Sequence, residues 1–285
     1  MNPSPSVRLI ATDLDGTLLL PDKTVSARSR ASLRAAAQAG MTLLAATGRQ
    51  LRHVPVDLIE LGFHYAIGAN GAIGVDLADN TVIFAETIST DALQTLNELL
   101  RHRVPQVRFA ASRNFGEYHL CEPGYLELVP EHEILPPNWR TEIVGLAELL
   151  AEPTIKVTLR HPELTPVELL AIVQALGVAG LSVTISGAPF VEIGSAQATK
   201  ATAIARVCQS LEIPAASVMA IGDSLNDIDM VTWAGHGVAM GNADPTLRGI
   251  ADRTTTTNIA DGFALAVENV LLEGDHTWNR SVTLS

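Results

Sequence analysis

The chain has 285 residues, 47% hydrophobic and 18% charged, with 31 acidic against 19 basic side chains and a net charge of −12. That composition suits a globular protein with a sizeable core and excludes a chain that is disordered over most of its length. No Lys/Arg stripe offers a surface for nucleic acid, and no apolar run approaches the roughly 18 residues of a membrane span.

Cys121 and Cys208 are far apart and make neither a disulfide framework nor a metal-ligand pair, and the histidines lack zinc spacing. Residues 1–6 carry two prolines and no apolar segment of a signal peptide, so the expected compartment is the cytoplasm. An acidic protein that handles an anion has to concentrate positive charge locally, usually with a metal.

The apolar run 7–12 predicts a buried strand that turns at Asp13-Leu14-Asp15-Gly16-Thr17. Thr24 or Ser26 is placed to cap a helix through Gln38, which Gly40 would stop. Residues 41–46 read as a second buried strand ending at Thr47-Gly48-Arg49, then a helix to about Leu61, then a strand over 65–68. Residues 72–76 and 81–84 form a hairpin-like pair.

From Ile88 to about Val191 the rhythm changes, with helices over 90–101 and 166–176, strands over 155–159 and 182–186, and Pro123, Pro130, Pro136, Pro137 and Pro153 between them. A segment of about 100 residues is domain-sized and reads as an inserted α+β module. The first rhythm then returns: helix 199–211, strand 217–221, a polar turn from Gly222, helix 228–233, strand 236–239 and a last helix over 259–272 ended by Gly274. A frayed tail is expected over 275–285. The alternation predicts a parallel α/β sheet: a Rossmann-like core from residues 1–86 and 192–285, with the insert over 87–191.

The chemistry concentrates at strand ends. Asp13 and Asp15 follow the first strand, where open α/β sheets bind ligands. Two carboxylates so close both ionise only if a cation shares the site, and a hard divalent ion with oxygen ligands fits. Gly222-Asp223-Ser224-Leu225-Asn226-Asp227 adds a second acidic turn after a later strand. Thr47-Gly48-Arg49 offers a hydroxyl and amides to phosphate. Lysine occurs only at 23, 156 and 200, and Lys200 opens a helix where a compact charge can neutralise an anion. Each of these taken alone is also an ordinary capping or turn sequence; their joint occurrence favours the functional reading. Gly237-Val238-Ala239-Met240-Gly241-Asn242 reads first as a structural loop near the same face, and Glu131-His132-Glu133 as surface. No dinucleotide fingerprint or Walker A sequence is present.

Together these segments resemble the haloacid dehalogenase (HAD) superfamily. Asp13-Leu14-Asp15-Gly16-Thr17-Leu18 looks like its first motif, Thr47-Gly48-Arg49 its second, Lys200 its third and Gly222-Asp223-Ser224-Leu225-Asn226-Asp227 its fourth. Asn70-Gly71-Ala72 and Gly237-Val238-Ala239-Met240-Gly241-Asn242-Ala243 further resemble the Cof-type (IIB) subfamily, whose members carry an α+β (C2B-type) cap between the second and third motifs. The resemblance implies a Mg²⁺-dependent phosphatase acting on small phosphorylated metabolites, with Asp13 as nucleophile and Asp15 as acid and base. It further implies Asp13, the backbone carbonyl of Asp15 and Asp223 on the metal with Asp227 supporting. Leu14, Thr47, Gly48, Lys200 and Asn226 would contact phosphate.

Two features depart from the family: Ala201 where Gly is frequent, and an approach over 194–199 without the usual Gly-Val-Ser-like turn. Arg113, Lys156, Ser186 and Glu192 are cap residues open to a role in the cleft. A phosphomutase or phosphotransferase of the same fold, or a non-catalytic phosphometabolite-binding protein, are the rival readings; a P-type ATPase would have Thr at position 15. The expected assembly is a monomer or homodimer.

Overall fold

The computed structural model describes residues 7–130, 140–185, 189–273 and 282–283. Ser186, the 131–133 stretch, Gly274 and most of the expected tail lie outside them. The elements in chain order are β1 (Leu9–Thr12), α1 (Ala27–Gln38), β2 (Thr42–Ala46), β3 (Tyr65–Gly68), β4 (Ile73–Asp76) and β5 (Thr81–Ala85), followed by α2 (Thr90–Arg103), β6 (Arg108–Arg113), β7 (Tyr118–Cys121), β8 (Thr141–Ile143) and α3 (Leu146–Leu149). Next come β9 (Val157–Arg160), α4 (Pro166–Ala175), β10 (Leu181–Thr184), β11 (Val191–Ser195), α5 (Lys200–Ser210) and β12 (Val218–Gly222). The chain closes with α6 (Ile228–Trp233), β13 (His236–Ala239), α7 (Pro245–Ile250), β14 (Arg253–Thr254), α8 (Gly262–Glu273) and β15 (Val282–Thr283).

Two sheets organise these elements. The first has the order β15-β14-β13-β12-β1-β2-β3-β4-β5. It is parallel from β15 to β3, and β4 and β5 add an antiparallel hairpin at one edge. Every residue of β1 and of β12 is buried, as expected of central parallel strands covered on both faces. The helices α1 and α8 pack together, and so do α5 and α6. Ser26 starts α1 by accepting from the Ser29 amide, and Gly40 (φ +82°) follows its end. The second sheet, β10-β11-β9-β6-β7-β8, is antiparallel except for the β7–β8 pair. Its own core joins Phe109, Val157, Leu159 and Ile193 to Leu93 and Leu96 of α2 and Leu169 and Val173 of α4. The insert thus carries a core separate from that of the parallel sheet.

One element differs from expectation. Instead of a helix from Arg49 to Leu61, only the short turn Leu51–His53 is helical, of the 3₁₀ type. Pro55 explains this: it has no amide to donate and pushes Val54 into extended geometry (ψ 126°). Asp57 then spends its carboxylate on the Ile59 and Glu60 amides, a local turn that competes with helix. The loop after Thr47 therefore has no long helix behind it. β11 crosses the boundary expected at 191/192 and pairs within the second sheet through Ser195.

Candidate active site

Adjacent parallel strands bring the two acidic turns together. The register Thr12↔Ile221 sets the end of β1 beside the end of β12, and the Asp13 amide donates to the Ile221 carbonyl at 2.9 Å. One carboxylate oxygen from each of Asp13, Asp223 and Asp227 lies within 4.8 Å of the others. Lys200 enters this group as the first residue of α5. Its Nζ donates to Asp13 Oδ1 and to Asp227 Oδ1, both at 2.6 Å.

Local sequence fixes each approach. The start of α5 is set by a Thr199–Thr202 capping box and by Gly71 (φ +108°), where a Cβ would stand 2.2 Å from the Thr199 carbonyl oxygen. The atypical approach closes on Ser195 instead, whose carbonyl accepts from the Ala198 amide and whose Oγ accepts from the Gln197 amide. Lys200 reaches the carboxylates with Ala201 buried behind it. Gly16 (φ +83°) brings the first turn against the fourth-motif turn, and a Cβ there would fall 2.2 Å from Asp223 Oδ2.

The electrostatics show an excess of negative charge. Burial raises the Asp13 carboxyl well above the usual carboxylate range; Lys200 opposes this, while Asp227 and Asp223 add to it. Burial, then Asp227, pushes Asp223 up to about 7. Burial would depress Lys200, but Asp13 and Asp227 outweigh it and hold the ammonium above its ordinary range. Three carboxylates around one ammonium fit a further cation. The donors also divide into two kinds. Asp227 Oδ2 accepts from the Asp223 and Ser224 amides at 2.9 and 3.0 Å, so both its oxygens are in use. Among the described residues the Asp223 carboxylate has only long contacts, 3.3 Å to Thr17 Oγ1 and 3.4 Å to Asn242 Nδ2. Asp13 and Asp223 are thus the carboxylates open to a hard divalent ion, and Asp227 braces them.

Asp15 stands apart from this group. Its carboxylate takes a two-pronged bond from Arg49 (Nε to Oδ2 2.5 Å, Nη2 to Oδ1 2.8 Å) and a third from Lys23 Nζ at 2.7 Å. Burial works to raise this carboxyl, yet the bonds from Arg49 and Lys23 win and hold it below its ordinary value. Asp13 and Asp15 titrate apart, with Asp15 as the stronger acid.

The remaining candidate residues lie on the turns and loops around these groups. Leu14 is fully buried, and its carbonyl closes the first turn by accepting from the Leu19 amide at 2.8 Å. The Asp15 carbonyl belongs to that turn. Thr47 Oγ1 accepts from the Arg49 amide at 3.0 Å, which folds the second-motif loop toward Asp15. The Gly48 carbonyl faces the insert and accepts from Lys156. Asn226 donates to Asn70 Oδ1 at 2.9 Å, and its own Oδ1 is buried with no hydrogen-bond partner among the described residues.

A family model for haloacid dehalogenase-like hydrolases matches residues 10–267, a stretch that contains every one of these side chains. The chain belongs to that family. Among proteins it resembles, it is 32% identical over 276 residues to the 5-amino-6-(5-phospho-D-ribitylamino)uracil phosphatase YcsE of Bacillus subtilis, covering 93% of this chain and 96% of that one. It is 29% identical over 281 residues to the pyridoxal phosphate phosphatase YbhA of Escherichia coli, at 94% and 100% coverage. A solved phosphatase of the HAD superfamily from Bacteroides thetaiotaomicron superposes with a TM-score of 0.76 at 25% identity, covering 95% of this chain and 97% of that one. In this HAD-family phosphatase the acidic turns and the lysine-bearing helix come from the parallel-sheet part of the chain, and the second sheet from the insert between them.

Several site residues went unassigned in the sequence. Sequence reasoning leaves Arg49 a motif residue without a partner and Lys23 without a role, and makes Asn242 structural, whereas Asn242 Nδ2 donates to the Gly16 carbonyl at 2.9 Å. The signal available was the scarcity of lysine: all three lysines bond to first-, second- or fourth-motif residues. Of the open cap residues, Lys156 and Glu192 reach the core through Gly48 and Asn70. Arg113 instead bonds the Leu149 carbonyl within the insert. Among the described residues, no helix is long and apolar enough to cross a membrane.

Proposed function

We propose that this phosphatase hydrolyses small phosphate monoesters, sugar phosphates first among them, through an aspartyl-phosphate on Asp13 with Mg²⁺ as cofactor. The observation that carries the reading is the convergence of Asp13, Asp223 and Asp227 on Lys200. A dianionic phosphate approaches a carboxylate only where cations offset the repulsion. Lys200 supplies one charge; Mg²⁺, held by Asp13, the Asp15 carbonyl and Asp223, would supply the rest and stabilise charge on the transferring phosphoryl group.

Asp13 attacks phosphorus as the ester P–O bond breaks, and the leaving oxygen takes a proton from Asp15. Water then attacks the phospho-enzyme, Asp15 takes a proton from it, and phosphate leaves Asp13 free. The bonds from Arg49 and Lys23 favour the ionised Asp15 that the second half would need. For the first half, Arg49 and Lys23 have to release it so that it can carry a proton. Leu14, Thr47, Gly48, Lys200 and Asn226 would line the phosphate. The ribityl and pyridoxal phosphates named for the relatives support a small organic phosphate here.

Turnover of p-nitrophenyl phosphate with Mg²⁺, its loss with EDTA, and an inactive but folded Asp13→Asn variant test this reading. Retained turnover in that variant would remove Asp13 as nucleophile. A phosphometabolite panel, scored for free phosphate against isomerised product, ranks substrates and separates hydrolase from mutase.

A further inference from the structure

A buried chain of hydrogen bonds ties the insert to two parts of the candidate phosphate site. Lys156, just before β9, extends Nζ to the Gly48 carbonyl at 2.9 Å and to Glu192 Oε1 at 2.5 Å. Glu192 Oε2 accepts from Asn70 Nδ2 at 2.5 Å, and Asn70 Oδ1 accepts from Asn226 Nδ2 at 2.9 Å. Lys156 is 7% exposed and Glu192 2%. The chain therefore starts on the second-motif loop, passes through Lys156 before β9 and Glu192 on β11, returns through the Asn70-Gly71 turn and ends on the fourth-motif turn.

Each link has a structural cause. Glu192 pairs with Thr158 across β11 and β9, which sets its side chain beside that of Lys156 two residues earlier. Asn70 occupies left-handed backbone (φ +58°), a conformation Asn tolerates, and this turns its amide away from its own loop. The Lys156 ammonium also lies 5.7 Å from the Phe190 ring centroid, within cation–π range. An ion pair this deeply buried contributes little net stability compared with apolar packing, and a role in fixing geometry accounts for it better.

We infer that Lys156 and Glu192 are positioning residues that hold the Gly48 peptide and the Asn226 amide in register, so that the second sheet sets the shape of the phosphate site. The inference rests on reading Gly48 and Asn226 as phosphate contacts. Lys156 orients the peptide that follows Thr47 by holding its carbonyl, which fixes the direction of the amides on that loop. Glu192 fixes Asn70, and Asn70 in turn fixes which way Asn226 presents its amide. Neither charged residue touches phosphate; both act through a neighbour.

The experiment uses the full chain with Mg²⁺ and two variants. K156M/E192Q removes both charges, so neither is left buried alone, and it keeps an acceptor for Asn70. Asn70→Gly preserves the left-handed turn and cuts both Asn70 bonds, to Glu192 and to Asn226, while leaving the Lys156 bonds to Gly48 and Glu192 in place. The readouts are the inhibition constant of inorganic phosphate against p-nitrophenyl phosphate turnover, and amide hydrogen exchange by segment. For K156M/E192Q, phosphate inhibition is expected to weaken ~10-fold or more, with exchange over residues 47–53 faster by a similar factor. Asn70→Gly is expected to weaken inhibition too, with faster exchange over 224–230 and no change over 47–53.

Inhibition and exchange both within about twofold of wild type in these variants, whatever happens to the melting temperature, would overturn the inference and leave the chain as packing only. If the unaltered protein shows no turnover, the functional reading fails by itself. The exchange measurement still decides whether the tie orders the two loops.

Discussion

Withdrawing divalent cations should make the protein less stable as pH rises, and Mg²⁺ should restore that loss. Asp223 is pushed up to about 7 by burial and by Asp227, against an ordinary value near 3.8. A carboxyl raised in the folded state binds a proton that the unfolded chain releases, so its contribution is full below pH ~4 and is lost as pH climbs to about 7. At ~1.4 kcal/mol per pH unit over about three units, the loss reaches at most about 4 kcal/mol, and Asp13 works in the same direction. For a chain of this size that is on the order of 10 °C in Tm. The pH dependence of the metal-free protein alone is not diagnostic, because His53 and His119 oppose it. Burial lowers them to about 4 and about 3, so they cost stability as pH falls below ~6.5. The decisive quantity is the Tm shift caused by Mg²⁺, measured calorimetrically at pH 8 and pH 5. It should be several degrees larger at pH 8, where the carboxylates are ionised and protons do not compete. Asp223→Asn should raise the metal-free Tm at pH 8 and abolish the Mg²⁺ shift. An equal Mg²⁺ shift at both pH values, or one retained in Asp223→Asn, would refute the reasoning.

Gly16→Ala places a methyl 2.2 Å from Asp223 Oδ2 at φ +83°, so backbone strain of about 1–2 kcal/mol and a displaced carboxylate are expected; calorimetric Mg²⁺ titration should show affinity down ~10-fold or more. Arg49→Gln removes the two-pronged bond to Asp15 and lets that carboxyl rise. If Asp15 donates the proton as proposed, the alkaline limb of kcat, which reports groups in the enzyme–substrate complex, should move to higher pH; an unmoved limb would separate Arg49 from proton transfer. His119→Asn should flatten the acid side of the stability profile. Between pH 6.5 and 4 the urea-derived slope should fall by up to ~1.4 kcal/mol per pH unit, measured with Mg²⁺ saturating.

The parts of this protein legible in its sequence are those whose signal is local. β1 and β12 are unbroken apolar runs because both faces are covered, and the polar turns that follow them carry the chemistry by position alone. A capping residue marked α1 because Ser26 does its work within three residues of itself. The expected helix after Arg49 failed for a reason also printed in the chain: Pro55 and Asp57 outweigh the apolar spacing that suggested it. What could not be read is pairing over distance. Nothing in Thr47-Gly48-Arg49 says that Arg49 reaches back 34 positions to Asp15, and nothing near Lys156 announces a carbonyl 108 positions earlier.

Those long-range partners change the chemistry and not only the outline. Motif reading makes Asp15 an acid because the reaction needs one, whereas two cations in the folded chain make it a strong acid that has given up its proton. The sequence makes ionisation of Asp13 depend on a shared cation, and burial beside Asp223 and Asp227 acts in that same direction by favouring its proton. On the proposed mechanism each group would change state during turnover: Asp13 would lose its proton when a cation joins the site, and Asp15 would gain one when Arg49 and Lys23 let go. The folded site thus stands one step before chemistry, and substrate and cation together have to complete it.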